Sequence, residues 1–222
     1  MTGTDPIVEV RARYLAAQLA GDRRRALELL AESVKAHGLS AAQVQLQVIQ
    51  EAQREIGQLW QENRITIAQE HMATSISQLA LAQIFQSAPS AAPNGRRVLV
   101  ACVEGEMHEF PTQLAADTLD LAGFEVRFLG ANVPTDSLLA MIDEIAPEVL
   151  ALSCAMLFNV PSLREAVRRV RARPGPRLPI LVGGHALEWS PELATSLGAD
   201  GFGSDALALL SETRRVLGMP VV

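Results

Sequence analysis

Past residue 95 the chain alternates five times between a short apolar run and a helical pattern, and no other feature limits its fold as tightly. Strands are expected near 97–103, 124–128, 148–152, 178–182 and 199–202, with helices near 112–122, 136–146, 161–172, 188–196 and 204–217. Runs such as Val98 to Val103 are apolar throughout, as strands covered on both faces are. Strands separated by helices predict a five-stranded, doubly wound parallel sheet of the Rossmann or flavodoxin-like kind. In such sheets ligands sit beyond the carboxyl ends of the strands, where the strand order reverses. If the order is 2-1-3-4-5, the loop Glu104 to Pro111 faces the loop that begins at Ser153 across that crevice.

The first of these loops reads Glu-Gly-Glu-Met-His-Glu-Phe-Pro. Histidine is the commonest protein metal ligand, and a carboxylate two residues from His108, Glu106, could take its second ring proton and fix the tautomer. A loop histidine beside glutamates is also often just solvated, so spacing alone leaves both readings open. After the fourth strand, Gly183-Gly184 removes side chains where a ligand could approach the backbone, or makes a tight turn.

The first 86 residues carry helical periodicity only. Pro6 suits the first turn of a helix reaching Leu19. From Asp22, an N-cap, Leu27, Leu30, Ala31 and Val34 repeat at helical spacing, and Lys35, His37 and Gly38 close the helix. Ser40 with Gln43 forms a capping-box pattern opening a longer helix, whose Val44, Val48, Ala52, Ile56 and Leu59 share one face up to Trp60. Thr66 with Gln69 repeats that pattern and begins a fourth helix, with Met72, Ile76, Leu79 and Ala80 expected inside. Four helices with short connections predict an antiparallel bundle. Residues 87–96, rich in Pro, Ser and Ala, read as a linker, so the expected domains are 1–86 and 97–222.

Charge and composition exclude several classes. The net charge is −6, and the basic clusters at 23–25 and 164–177 are broken by acids and apolar residues, so direct nucleic-acid binding is not expected. Neither a signal peptide nor an apolar run of 18 residues is present, which makes a cytoplasmic protein the expectation. Cys102 and Cys154 stand at apolar strand positions without metal spacing and read as reduced core residues. Asp136 is expected as an N-cap and Trp189 as a helix-packing residue, while His185 after the diglycine is as well explained by a solvated loop as by a ligand.

Glu106-x-His108 after the first strand, Ser153 after the third and Gly183-Gly184 after the fourth together resemble the cobalamin-binding domain shared by methionine synthase, mutases, corrinoid methyl carriers and cobalamin photoreceptors. Many members also carry a four-helix bundle of this size before the sheet. The resemblance implies that His108 replaces dimethylbenzimidazole as the lower cobalt ligand, with Glu106, where the family usually has Asp, orienting the ring. Met107 and Glu109 flank that ligand. The displaced nucleotide tail would bond to Ser153, near Ala155, and pass Gly183 and Gly184. Two positions depart from the pattern Asp-x-His-x-x-Gly and Ser-x-Leu: Pro111 stands at the glycine, and Ala155 at the leucine. Pro111 lacks an amide proton and fixes φ, so the loop is expected to run differently from a methyl carrier's.

Within the bundle, Trp60 followed after nine residues by Glu70-His71 resembles the Trp-x9-Glu-His signature of the CarH/LitR class of adenosylcobalamin-dependent light sensors. The alternative is a core tryptophan and a glutamate favoured by a helix N-terminus. The resemblance implies a sensor that holds adenosylcobalamin in the dark between Trp60, Glu70 and His71 above and His108 below, and changes conformation or self-association when light breaks the cobalt–carbon bond. Methylcobalamin or hydroxocobalamin would be the alternative or light-product form. Some members have a histidine directly after the tryptophan; Gln61 here supplies no imidazole. With so few residues before the first helix, no DNA-binding domain is expected, and the output would pass through a separate regulator. The runner-up is a corrinoid methyl carrier of a methyltransferase system. A mutase is disfavoured because the chain has no room for a barrel domain, and a protein-binding module that has lost the cofactor is the last alternative.

Overall fold

The computed structural model describes residues 5–188 and 192–220. The chain divides into two compact units, Met1–Pro89 and Ser90–Val222.

The first unit is helical: α1 (Pro6–Leu19), α2 (Arg23–His37), α3 (Ala41–Gln43) running through a π-helical segment (Val44–Ile49) into α4 (Gln50–Gln61), and α5 (Ile67–Ser87). Local chemistry sets the ends. Asp5 and Asp22 accept from backbone amides as N-caps, and Ser40–Gln43 and Thr66–Gln69 are complete capping boxes. Gly38 closes α2 with a left-handed φ of 64°. The expected face of the third helix is buried, from Val44 to Leu59.

Two other helices keep part of the expected face inside, Leu30 in α2 and Ile76 and Ala80 in α5, but are rotated from it. In α2 the buried residues are Ala26, Leu29, Leu30 and Ser33, with Val34 exposed; in α5 they are Ala73, Ile76, Ser77, Ala80, Leu81 and Ile84, with Met72 and Leu79 exposed. Both helices bring small residues against their neighbours, which lets backbones approach closely, and in α5 polar and apolar residues alternate around the helix so that its periodicity marks no single face.

The second unit is a parallel sheet in the order β2-β1-β3-β4-β5, formed by β1 (Arg97–Cys102), β2 (Glu125–Phe128), β3 (Val149–Ser153), β4 (Ile180–Gly183) and β5 (Gly201–Gly203). Alternate residues of β1 and β3 point to opposite layers. Leu99, Ala101, Leu150 and Leu152 join a core with Leu138 and Ile142 of α7 (Thr135–Ile145) and Leu163 and Val167 of α8 (Val160–Arg171). Val98, Val100, Val149 and Ala151 join one with Ala116 and Leu119 of α6 (Glu109–Leu121) and Leu209 of α11 (Ala206–Val216). A sheet covered on both faces accounts for the unbroken apolar runs. Where one helix was expected near 188–196, two short ones occur, α9 (His185–Glu188) and α10 (Glu192–Ser196); Trp189 lies outside the described residues.

Asp136 is not an N-cap. Helix α7 begins one residue earlier, at Thr135, and Asp136 projects to solvent in an ion pair with Arg169. Pro134 has no capping side chain, so the α7 N-terminus takes its acceptor from another loop: Oε2 of Glu104 receives the amide and the hydroxyl of Thr135 at 3.2 and 3.4 Å.

Candidate functional site

The order reversal puts β1 between β2 and β3, so the loops after these strands meet at one edge of the sheet. The β1 loop is held from both sides. Asn132, after β2, accepts from the Gly105 amide at 2.8 Å through its side chain and donates its own amide to the Glu106 carbonyl at 2.8 Å. From the β3 side, Asn159 donates to the Gly105 carbonyl at 3.2 Å. Gly105 has a φ of +87°, and a Cβ there would lie 2.8 Å from Asn159 Oδ1, so both conformation and space call for glycine.

Glu106 is completely buried, and every hydrogen bond it makes points to the same edge. Oε1 accepts from the His108 amide at 3.0 Å and lies 2.6 Å from Nδ1 of the His108 ring. Oε2 accepts from the amides of Ala155 and Met156, at 2.8 and 3.0 Å, and from Asn159 Nδ2 at 3.0 Å. Burial alone would raise this carboxyl's pKa, but the bonds from the His108 ring, Asn159 and the amides of His108 and Met156 outweigh it and hold it at about 2. The anion therefore persists in the interior, with Nδ1 of His108 against it and the imidazole 48% exposed.

His108 is also the residue immediately before α6. The helix starts at Glu109, three residues earlier than expected, which places Pro111 in the first turn, where an amide has no helical acceptor to lose. Met107 is exposed, as are Leu157 and Phe158 in the short 3₁₀ turn Leu157–Asn159, and Glu109 is half-buried near Gly130. Cys102 and Cys154 lie buried beneath the loops; burial and the nearby Glu106 push their thiols up to about 11 and 12, with Cys102 bonded to Thr112. Neither is poised for redox chemistry.

The remaining sheet-edge residues are placed as follows. Ser153 ends β3, level with Cys102 on one side and Gly183 on the other. Gly183 ends β4, and a Cβ there would meet the Gly203 carbonyl oxygen at 2.9 Å; at Gly184, with a φ of +104°, it would collide with Cys154 backbone atoms at 2.3 to 2.9 Å. On the side a Cβ would take, the diglycine packs against the protein's own backbone, which draws the ends of β3, β4 and β5 together. His185 bonds to Glu188 at 2.9 Å.

In the helical unit Trp60 keeps 36% of its surface exposed at the end of α4, beside a shallow cavity of about 400 Å³ that it lines with Asn63, Arg64, Ile65, Thr66, Ile67 and Gln69. Gln61, next in sequence, is exposed. Glu70 Oε2 lies 2.7 Å from His71 Nδ1, and Oε1 accepts from Thr74 at 2.7 Å. Glu70 and His71 do not line that cavity, so Trp60 and the Glu70–His71 pair are neighbouring features of one helical hairpin.

The sequence reading passed over Asn132 and Asn159. The signal was a repeat: Asn-Val-Pro occurs at 132–134 and 159–161, each time just before or at a helix start, and both asparagines bind the Gly105–Glu106 segment.

Among the described residues no group of three or more His, Cys, Asp or Glu could hold a metal ion, and no helix is long and apolar enough to cross a membrane. A single half-exposed histidine backed by a buried carboxylate suits a metal whose other positions are filled by a macrocycle. Such an arrangement stands at the switch point of a doubly wound sheet, where folds of this class hold their ligands, in a chain that also has a helical bundle. A B12 binding domain model matches residues 96–211, a second B12 binding domain model matches residues 10–84, and the chain belongs to the B12-binding family.

Relatives include the HTH-type transcriptional repressor CarH of Myxococcus xanthus, 28% identical over 79% of this chain and 58% of its own length, and CarA of the same organism, 32% identical over 61% and 46%. Trimethylamine corrinoid protein 1 of Methanosarcina acetivorans is 28% identical over 54% of this chain and 55% of its own. The chain thus spans about half the length of the curated relatives it matches. The solved monomethylamine corrinoid protein of Methanosarcina barkeri shares the fold, with a TM-score of 0.83 at 17% identity over 94% of this chain and 99% of that one.

Proposed function

We propose that this cobalamin-binding protein is a light sensor that holds adenosylcobalamin in the dark. The observation carrying this reading is the half-exposed Trp60 indole set in the same α4–α5 hairpin as the Glu70–His71 pair. An apolar stripe that ends on an open indole beside hydrogen-bonding groups suits a nucleoside better than a methyl group. The kinship with CarH, a transcriptional repressor, is in keeping with a sensory role.

In the sheet unit His108 would be the lower cobalt ligand through Nε2. Glu106 keeps Nδ1 engaged, so that the ring's tautomer and direction are set before the cofactor arrives. Ser153, Ala155, Gly183 and Gly184 would line the path of the nucleotide tail, and Met107 and Glu109 would flank the corrin's lower side. The bound corrinoid supplies a cobalt–carbon bond that light can cleave; the protein supplies enclosure and readout. Trp60 and Glu70 would hold the group that light releases, and the hairpin, without it, could change self-association or the face shown to a partner such as a transcriptional regulator.

A second reading, a corrinoid methyl carrier, draws on the kinship with trimethylamine corrinoid protein 1. One experiment separates the two. The protein is mixed in darkness with adenosylcobalamin or methylcobalamin, desalted, and its absorption spectrum and elution volume are recorded before and after green light. Retained adenosylcobalamin giving a stable photoproduct and a new elution volume is the expected result; preferential retention of methylcobalamin, with assembly indifferent to light, would establish the carrier instead.

A further inference from the structure

A chain of side-chain hydrogen bonds runs through the helical unit and ends on Glu70. Thr74 Oγ1 donates to Glu70 Oε1 at 2.7 Å, Gln53 Nε2 donates to Thr74 Oγ1 at 2.5 Å, Ser77 Oγ donates to Gln53 Oε1 at 3.0 Å, and Gln18 Nε2 donates to Ser77 Oγ at 2.8 Å. Its polarity has a single origin. An ionised carboxylate only accepts, so the one hydroxyl proton of Thr74 goes to Glu70, Thr74 must accept from the amide end of Gln53, and Ser77 must donate to the carbonyl end. Tyr14, whose hydroxyl lies 3.3 Å from Ser77 Oγ, is then also a donor. Three helices, α1, α4 and α5, thereby direct their polar groups to one carboxylate.

The network does not satisfy all of its own members. Gln18 and Ser77 are completely buried, and while Gln18 Nε2 bonds to Ser77 and to the Ala73 carbonyl, Gln18 Oε1 has no hydrogen-bond partner. A partly satisfied polar interior is poorer than an apolar one.

Gly57 adds a second observation. It lies four residues after Gln53 and three before Trp60, so the three share one stripe of α4. Gln53 bonds to both Thr74 and Ser77, which sets the pairing of α4 with α5. Four residues along α4 and four back along α5 bring Gly57 level with Glu70 in the antiparallel hairpin. A Cβ at Gly57 would meet no other group within 4 Å. Glycine is a poor helix-interior residue, and here neither crowding nor backbone conformation calls for it. What it does provide is open space on the stripe of α4 that ends in Trp60.

We propose that Gly57 and the Gln53–Thr74 hydrogen bond set which upper ligand of the corrinoid this protein prefers: Gly57 leaves the space a nucleoside needs beside Trp60, and the Gln53–Thr74 bond holds the Glu70 carboxylate that accepts from its hydroxyls. Gln53 and Thr74 are positioning residues, acting through Glu70. The inference rests on the adenosylcobalamin reading above and names the determinants of that selectivity.

The test uses the full chain in darkness, titrated separately with adenosylcobalamin and methylcobalamin, as wild type and as Gly57→Ala, Thr74→Val, Thr74→Ser and Glu70→Ala. The ratio of adenosyl to methyl affinity is expected to fall about tenfold in Gly57→Ala and about three- to tenfold in Thr74→Val, and to hold within about twofold in Thr74→Ser. Two readouts need no cofactor: Gly57→Ala should melt no lower than wild type, because its new methyl group meets open space, and the Gln53 side-chain amide protons should exchange faster with water in Thr74→Val. A preference lost in Glu70→Ala but kept in both Gly57→Ala and Thr74→Val would overturn this inference and leave the adenosyl reading standing. Equal affinity for the two cobalamins in wild type would overturn that reading and the inference with it.

Discussion

Glu106 Oε1 lies 2.6 Å from Nδ1 of His108 while the other oxygen of the same carboxyl group is held by Ala155, Met156 and Asn159. One completely buried anion therefore joins the β1 loop to the β3 loop and aims an imidazole at the sheet edge. The arrangement is held by hydrogen bonds within the protein, and each part of it can be removed separately.

Glu106→Gln keeps the shape of the side chain but replaces an acceptor by a donor. Both oxygens of Glu106 face donors, so in either orientation the new NH₂ opposes N–H groups. We expect hydroxocobalamin to bind about 10- to 100-fold more weakly, with the His-on absorption spectrum diminished, and His108→Ala to lose that spectrum entirely. Titration followed by absorption measures both; affinity and spectrum unchanged in Glu106→Gln would remove the carboxylate from the site.

Asn159→Ala takes one donor from the Glu106 carboxylate and one from the Gly105 carbonyl at a buried position. A buried acceptor that loses a partner costs about 1–3 kcal/mol. The expected result is a loss of that size in urea unfolding of the cofactor-free chain, together with cobalamin affinity weakened about tenfold. Stability lost with affinity intact would confine Asn159 to the fold.

The five parallel strands were legible in the sequence because apolar runs separated by helical patterns leave few ways to build a sheet, and covered strands need no alternation to be recognised; their order, only a condition in the sequence, comes from the structure. The pairing of Glu106 with His108 was legible because two residues of spacing place both side chains in one loop. Asn159 was not, since its contact with Glu106 spans 53 residues and an asparagine beside Val-Pro reads locally as a helix start. The inward faces of α2 and α5 were only partly legible for a related reason: Leu30, Ile76 and Ala80 are inside as expected, but so are the small residues Ala26, Ser33, Ala73 and Ser77, to which hydropathy gives little weight. Asp136 had the composition of an N-cap, but the acceptor for α7 came from Glu104, 31 residues away.

Gly184→Ala tests the closure of the strand ends. The added methyl group would be forced into the Cys154 backbone, at 2.3 Å from its carbonyl oxygen, in a residue whose φ of +104° already disfavours any side chain. Backbone cannot swing aside as the end of a flexible side chain can. We expect a loss of about 2–4 kcal/mol in urea unfolding. A cost below about 1 kcal/mol would mean that the β3 and β4 ends separate easily.

Two carboxyl groups pull the pH dependence of stability in opposite directions. Glu106 is held at about 2 against 4.5 for an ordinary glutamate; its contribution, roughly 3 kcal/mol, is full above pH 4.5 and is lost as the pH falls through 2. Asp117, on α6, behaves conversely. Burial, then the charge of Asp120, pushes it to about 7 from 3.8, and its Oδ2 has no hydrogen-bond partner. Below pH 3.8 folded and unfolded chains both hold its proton. Between 3.8 and 7 only the folded chain does, so folding grows less favourable as the pH rises, and the penalty is complete above 7. Asp117→Asn removes this penalty. Thermal unfolding of the cofactor-free chain should therefore show the variant melting above wild type at pH 8 and level with it near pH 3.5, whereas Glu106→Gln should melt below wild type at pH 7 by a margin that shrinks under pH 4. An Asp117→Asn variant with no advantage at pH 8 would mean that the ionised carboxyl reaches water or a cation in the folded protein.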